Sequence, residues 1–187
     1  MKDIRFLWPI LTTATMLGAR IWELRHRFDA EPGKIIETAS FKRLVAVGTG
    51  SVLLCVAQYL LRDSPPPLPW VSAAGALLGV FTFVLRGLSR KALNRMWSVH
   101  VEIRENHTLV QTGPYMRIRH PIYLGTLLEV AAATLLLNAW SAGVVGLVAT
   151  AFVLRQRIRI EERAMEDKFG EAWRNYRLRA GLLWPRP

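Results

Sequence analysis

The 187-residue chain has a single cysteine, Cys55, so no disulfide can form within it. Its four histidines, His26, His100, His107 and His120, show neither the paired spacing nor the neighbouring thiols of a zinc site, and no metal is expected. A glycine-rich dinucleotide turn is missing too; Gly75, Gly79 and the Gly48/Gly50 pair read instead as points of close helix packing. Acid is scarce. Fourteen Asp and Glu stand against 25 Lys and Arg, a formal charge of +11 in a chain that is 51% hydrophobic. That pairing is unusual for a small soluble domain. The arginines gather at the ends of apolar runs, which fits acidic lipid and gives no reason to expect a nucleic-acid partner.

Charge is wholly lacking from two runs. Residues 44–61 and 68–85 each hold 18 residues without Lys, Arg, Asp or Glu, near the lower length of a membrane helix. Residues 6–21 form a weaker span, with Pro9 in its first turns and Arg20 at its exit, where a long side chain reaches the interface. Arg20, Glu23, Arg25 and Arg27 follow it without a small-residue cleavage site, so a retained helix is expected rather than a signal peptide. The tract 122–154 is too long for one span, because 33 helical residues extend about 50 Å against roughly 30 Å of hydrocarbon. It is split at Asn138-Ala139-Trp140-Ser141 into two antiparallel helices. The expected fold is therefore an all-α integral membrane protein of about five transmembrane helices. Segments 25–43, 86–121 and 155–187 carry 21 of the 25 basic residues, which places them on the cytoplasmic side.

Two polar blocks interrupt this pattern. Gly113-Pro114-Tyr115 leads through Arg117, Arg119 and His120 to Pro121, which suits the first turn of a helix because its missing N–H would have no partner there. Tyr123 and Gly125 continue that block into the apolar tract. The free amides at such a helix start favour an anion. Before it, Asn94-Arg95-Met96-Trp97 reads as an amphipathic turn, with Trp97 an interfacial anchor, and Val99, Val101 and Ile103 alternate as a short extended piece. The second block starts at Glu161-Glu162, with Arg157 and Arg159 spaced to meet the two acids across one turn. Adjacent acids on a helix point about 100° apart, so different jobs are expected, one toward a ligand and one toward Arg119 or His120. Met165, Phe169, Trp173 and Tyr176 then form a stripe suited to covering a site. Glu129 is an acid within an apolar run, which is costly unless it faces protein, water or a partner. Arg86→Ala is expected to be nearly silent in cofactor binding.

These blocks resemble the isoprenylcysteine carboxyl methyltransferase family, in which a GPY…RHPxYxG segment and a downstream EExxL…FGxxYxxY segment hold S-adenosylmethionine. Met165 stands where the family commonly has leucine and Trp173 where it has tyrosine; the ending Leu183-Trp184-Pro185 departs from the usual basic-Val-Pro pattern. The resemblance implies N-terminal membrane helices over 1–74 and a methyltransferase core over 75–187. It implies a cofactor pocket of Tyr115, Arg119, His120, Pro121, Tyr123 and Glu161 or Glu162. Arg119 and Glu129 are the catalytic candidates, Glu129 on its charge alone because it lies outside the family motif. S-adenosylmethionine is the implied cofactor, and a lipid-like or prenylated acceptor within the membrane lipid is the implied partner. The expected location is a bacterial inner membrane, with the site on its cytoplasmic face. Carboxyl O-methylation is favoured over lipid-amine N-methylation, with Arg119 suiting a carboxylate and Glu129 an amine. A membrane reductase and a non-enzymatic scaffold are the competing classes.

Overall fold

The computed structural model describes residues 4–25, 33–62, 68–104 and 106–186. His26, Glu105 and most of the short loop after Arg62 lie outside the described residues. The chain runs α1 (Ile4–Arg25), β1 (Lys34–Glu37), α2 (Ala39–Leu60), α3 (Pro69–Leu93), β2 (Val101–Ile103), α4 (Pro121–Leu137), α5 (Trp140–Phe169) and α6 (Glu171–Arg179). The strands β1 and β2 pair antiparallel, with Lys34 opposite Ile103 and Ile35 opposite Glu102. The alternation around Val101 is thus a real strand; its partner β1 carries no comparable pattern.

Local chemistry explains the helix boundaries. Pro69 and Pro121 each occupy a first helical turn, where a proline forfeits no hydrogen bond. The apolar tract breaks at Asn138, the expected place, because Asn138 adopts the left-handed conformation at φ 49° and ψ 38° that asparagine tolerates better than most side chains. Its carbonyl accepts from Arg62 at 2.7 Å and its amide nitrogen donates to Ser72 at 3.2 Å, so the buried turn is satisfied by α3 and by the end of α2. Gly170, at φ +51°, separates α5 from α6.

Among the described residues three helical segments, not five, are long and apolar enough to cross a membrane: Ala39–Leu60, Pro69–Met96 and Trp140–Phe169. This corrects the expected span count. Helix α4 is 17 residues, about 25 Å, short of the hydrocarbon core, and it is buried among other helices, with Val130, Ala132, Ala133, Leu136 and Leu137 almost fully covered. Helix α1 places charges inside the protein. Arg86 of α3, 3% exposed, sets Nε 2.9 Å from Glu23 and donates from Nη1 to Glu129 at 2.6 Å. The Nε contact is an ion pair by distance without hydrogen-bond alignment. Arg20 adds contacts to Glu23 at 3.3 Å and Glu129 at 3.9 Å. Two guanidiniums and two carboxylates therefore neutralise one another between α1, α3 and α4. Gly125 makes this possible, since a Cβ there would sit 2.8 Å from Arg86 Cγ.

The glycines divide sharply. A Cβ on Gly75 would lie 2.8 Å from both the Ala132 carbonyl oxygen and the Leu136 Cα, so α3 and α4 touch backbone to backbone. On Gly79 it would meet only the flexible Met16 side chain, and around Gly48 and Gly50 there is open space. The close-packing reading of the Gly48/Gly50 pair is thereby corrected. Gly75→Val should destabilise the protein by about 1–3 kcal/mol or more, while Gly50→Ala should be neutral or slightly stabilising, in thermal melts in detergent. Arg86→Met leaves two buried carboxylates short of a partner, so a loss of about 3–5 kcal/mol is expected in the same assay.

Candidate active site

The segment between α3 and α4 folds back over the bundle and opens a cleft of about 1040 Å³, including its mouth. Tyr115, Arg119, His120, Tyr123 and Glu161 line it, as do Met165, Trp173 and Tyr176. Phe41, Leu44 and Leu24 form an apolar flank, and Arg20, Glu23, Arg86 and Arg90 a charged one.

Gly113, at φ +60°, starts the tight 3-10 turn Gly113–Met116 that carries Tyr115 inward. The Tyr115 carbonyl accepts from the Tyr176 hydroxyl at 2.6 Å, which fixes α6 on that turn. Burial raises both phenols, Tyr176 to about 12 and Tyr115 well above the ordinary value of 10, so both remain protonated at neutral pH. Across the cleft, His107 meets the Phe169 ring edge-on at 5.8 Å. Burial, followed by the nearby Arg104 and Lys168 charges, lowers its pKa and keeps its imidazole neutral at pH 7.

The two adjacent acids take separate roles. Glu162 Oε1 accepts from Arg119 Nε at 2.9 Å and lies 3.2 Å from His120 Nε2, on the outer side of the wall. Glu161 lines the cleft and accepts from the Tyr123 hydroxyl. The His120 and Tyr123 rings stack at 5.3 Å with 9° between their planes, as α4 begins at Pro121. Pro121 itself is fully buried and sets the helix start rather than lining the cleft.

Arg157 has a part that spacing alone does not reveal. Instead of meeting Glu161 on its own helix, it donates to the Tyr123 hydroxyl, to Ser40 and to the Val99 carbonyl, each at 2.7 Å. One buried guanidinium thus joins α2, α4 and the approach to β2. Trp97 is also placed differently from an interfacial anchor: it is buried in the cleft wall with the Arg90 guanidinium 4.6 Å over its ring. Glu129 does not line this cleft. It faces a smaller neighbouring cavity and is held by Arg86. Trp173 is buried in the main cleft, and among the described residues its indole N–H has no hydrogen-bond partner.

Comparison with known proteins accords with this geometry. Residues 75–167 match the isoprenylcysteine carboxyl methyltransferase (ICMT) family. The uncharacterized protein YpbQ of Bacillus subtilis (strain 168) is 28% identical over 115 residues, 62% of this chain and 67% of that protein. The cobalt-zinc-cadmium resistance protein CzcN of Cupriavidus metallidurans is 30% identical over 136 residues, 72% of this chain and 60% of that protein. The protein-S-isoprenylcysteine O-methyltransferase of Rattus norvegicus is 31% identical over 114 residues, 60% of this chain but only 40% of the rat protein. The chain thus spans about two thirds or less of the length of the relatives it matches. The matched region contains the Arg119-His120-Pro121 corner and both glutamates that close on it, and the chain belongs to the isoprenylcysteine carboxyl methyltransferase family.

Proposed function

We propose that this integral membrane protein transfers the methyl group of S-adenosylmethionine to a hydrophobic, membrane-associated acceptor, and that the acceptor is an isoprenylcysteine-like carboxylate. The observation that carries this reading is the convergence of two blocks, separated by some forty residues, on one cleft with different chemistry at its two acids. S-adenosylmethionine, when bound, supplies a sulfonium methyl group open to in-line displacement, together with an ammonium, a carboxylate and an adenine to be recognised.

The donor set fits those groups. Glu161 is the acid exposed to the cleft and is assigned to the ammonium, oriented by the Tyr123 hydroxyl and, through it, by Arg157. The unpartnered Trp173 N–H and the protonated Tyr115 hydroxyl are the donors assigned to acceptor atoms of the cofactor. Arg119 and His120 form the wall and are held by Glu162; Arg119 also donates to the Ala180 carbonyl at 2.5 Å, so we assign it chiefly to positioning. Pro121 supports the corner.

A carboxylate acceptor arrives charged and needs no general base, only alignment and partial desolvation. With Arg20 and Arg86 matched by Glu23 and Glu129, Arg90 leaves this flank of the cleft with a small positive excess that favours a carboxylate over an amine, and Glu129, the residue that suited an amine, is held by Arg86 outside the cleft. We therefore assign Glu129 to holding Arg86 rather than to the reacting atoms. The density of basic residues in the site-bearing segments supports a cytoplasmic placement, and the similarity to bacterial proteins a bacterial inner membrane.

Titration calorimetry on the detergent-purified protein should detect S-adenosylmethionine and its demethylated product but no nicotinamide dinucleotide; preferential dinucleotide binding would overturn the reading. Glu161→Gln and Glu162→Gln should each weaken the cofactor by roughly ten- to a hundredfold, the cost of about 1.5–3 kcal/mol for a charge-assisted contact. With methyl-labelled cofactor and membranes, the product should be base-labile and volatile, as a carboxyl ester is. Base-stable label in lipid would instead identify an amine acceptor.

A further inference from the structure

The tail after α6 is stitched to the site through its backbone. Arg119 N donates to the Gly181 carbonyl at 2.8 Å, His120 N to the Leu182 carbonyl at 3.1 Å, and Gly181 N back to the Arg117 carbonyl at 2.9 Å. Ile118 and Gly181 thereby form a parallel bridge. The neighbouring side chains point two ways. Leu183 packs on the cluster of Leu44, Leu154 and Ile158, whereas Leu178, Leu182 and Trp184 are 70%, 41% and 76% exposed.

Leu154 is the last residue of the uncharged run in α5, and Arg155 follows it. Leu183 therefore lies at the level where hydrocarbon gives way to headgroups, and exposed Leu182 and Trp184 flank it at that depth, the level at which tryptophan is enriched. The segment 177–186 contains three arginines and no acid. Arg186 folds back to donate to the Leu178 carbonyl at 3.0 Å, which puts its cation beside the exposed leucine. Arg155 and Arg159 are exposed on the adjoining α5. Arg177 is paired with Glu166 at 3.4 Å, whereas Arg186 lies against Leu178. Exposed apolar side chains with a cation among them, on a tail of net positive charge at a bilayer boundary, complement one kind of partner, a surface of anionic phospholipid.

We propose that the Leu178–Leu182–Trp184 face is a docking surface for anionic phospholipid headgroups, and that occupying it orders the backbone ladder that carries Arg119 and His120. The consequence for catalysis rests on the proposed function; the lipid contact stands on the tail alone. The ladder transmits the contact because a shift of Gly181 or Leu182 moves two backbone hydrogen bonds of the site's corner.

The full chain in nanodiscs of phosphatidylcholine, with or without phosphatidylglycerol, tests this without any cofactor. Hydrogen exchange in peptides covering 117–121 and 179–184 should slow by about fivefold or more when the anionic lipid is present, and high salt should reduce the difference. A Trp184→Ser/Arg186→Gln variant, whose changes lie outside the cleft, should retain its thermal transition and lose the lipid dependence. Equal exchange in both discs, or a variant that keeps the wild-type dependence, would overturn the docking surface. Lipid-dependent protection in a protein that binds no S-adenosylmethionine would support the surface and sink only the methyl-transfer reading.

Discussion

One carboxylate oxygen, Glu162 Oε1, holds Arg119 at 2.9 Å and His120 at 3.2 Å, and the arrangement of the site follows from that contact. It closes the charged end of α5 on the corner that starts α4, bringing together residues more than forty positions apart. Because consecutive helical residues point about 100° apart, fixing Glu162 outward on Arg119 turns Glu161 toward Tyr123 and the cleft. Arg119 then passes the restraint onward, donating to the carbonyls of Ala180 and Arg177, so the C-terminal tail is positioned by the same contact. The site is a closed loop of restraints rather than a set of independent side chains.

Buried cations elsewhere do similar work. Arg157 is covered on all sides and satisfied by three oxygen acceptors, which offsets the desolvation of its charge. The Arg20, Glu23, Arg86 and Glu129 cluster is a different case. Burying four charges is expensive, and such clusters are weak evidence of net stability; removing any one member is what costs most. Its physical consequence is geometric. Helix α1 is bound to α3 and α4 by charge rather than by apolar packing alone, and the charged flank of the cleft is held in place.

Several parts were legible beforehand for local reasons. Pro121 announces a helix start because its ring suits the first turn, and Asn138 announces a break because asparagine tolerates a left-handed backbone. The alternation at Val101 marks a strand because side chains alternate across a pleat. Arg157 and Arg86 were not legible in this way. Spacing on one helix paired Arg157 with Glu161, but an arginine side chain is long enough to choose partners on other elements, and three oxygens from two other helices and the Val99 carbonyl outcompete one neighbour on its own turn. Arg86 looked like one more cation at the end of a span because its partners, Glu23 and Glu129, lie 63 and 43 residues away.

The span count shows the same division. Hydropathy finds apolar stretches, yet it cannot tell whether an apolar face meets lipid or protein, and α4 is buried by its neighbours while being too short to cross hydrocarbon unaided. By itself the sequence determined the apolar segments, the basic excess, the two polar blocks and the helix-starting and helix-breaking residues, since each depends on composition or on backbone preference within a few positions. Only the tertiary structure decided which of two adjacent glutamates faces the cleft, where the buried arginines go, and that the tail is sewn to the Arg119-His120 corner. Those outcomes depend on long-range partners competing for the same few donors and acceptors, and that competition is settled only when the helices pack.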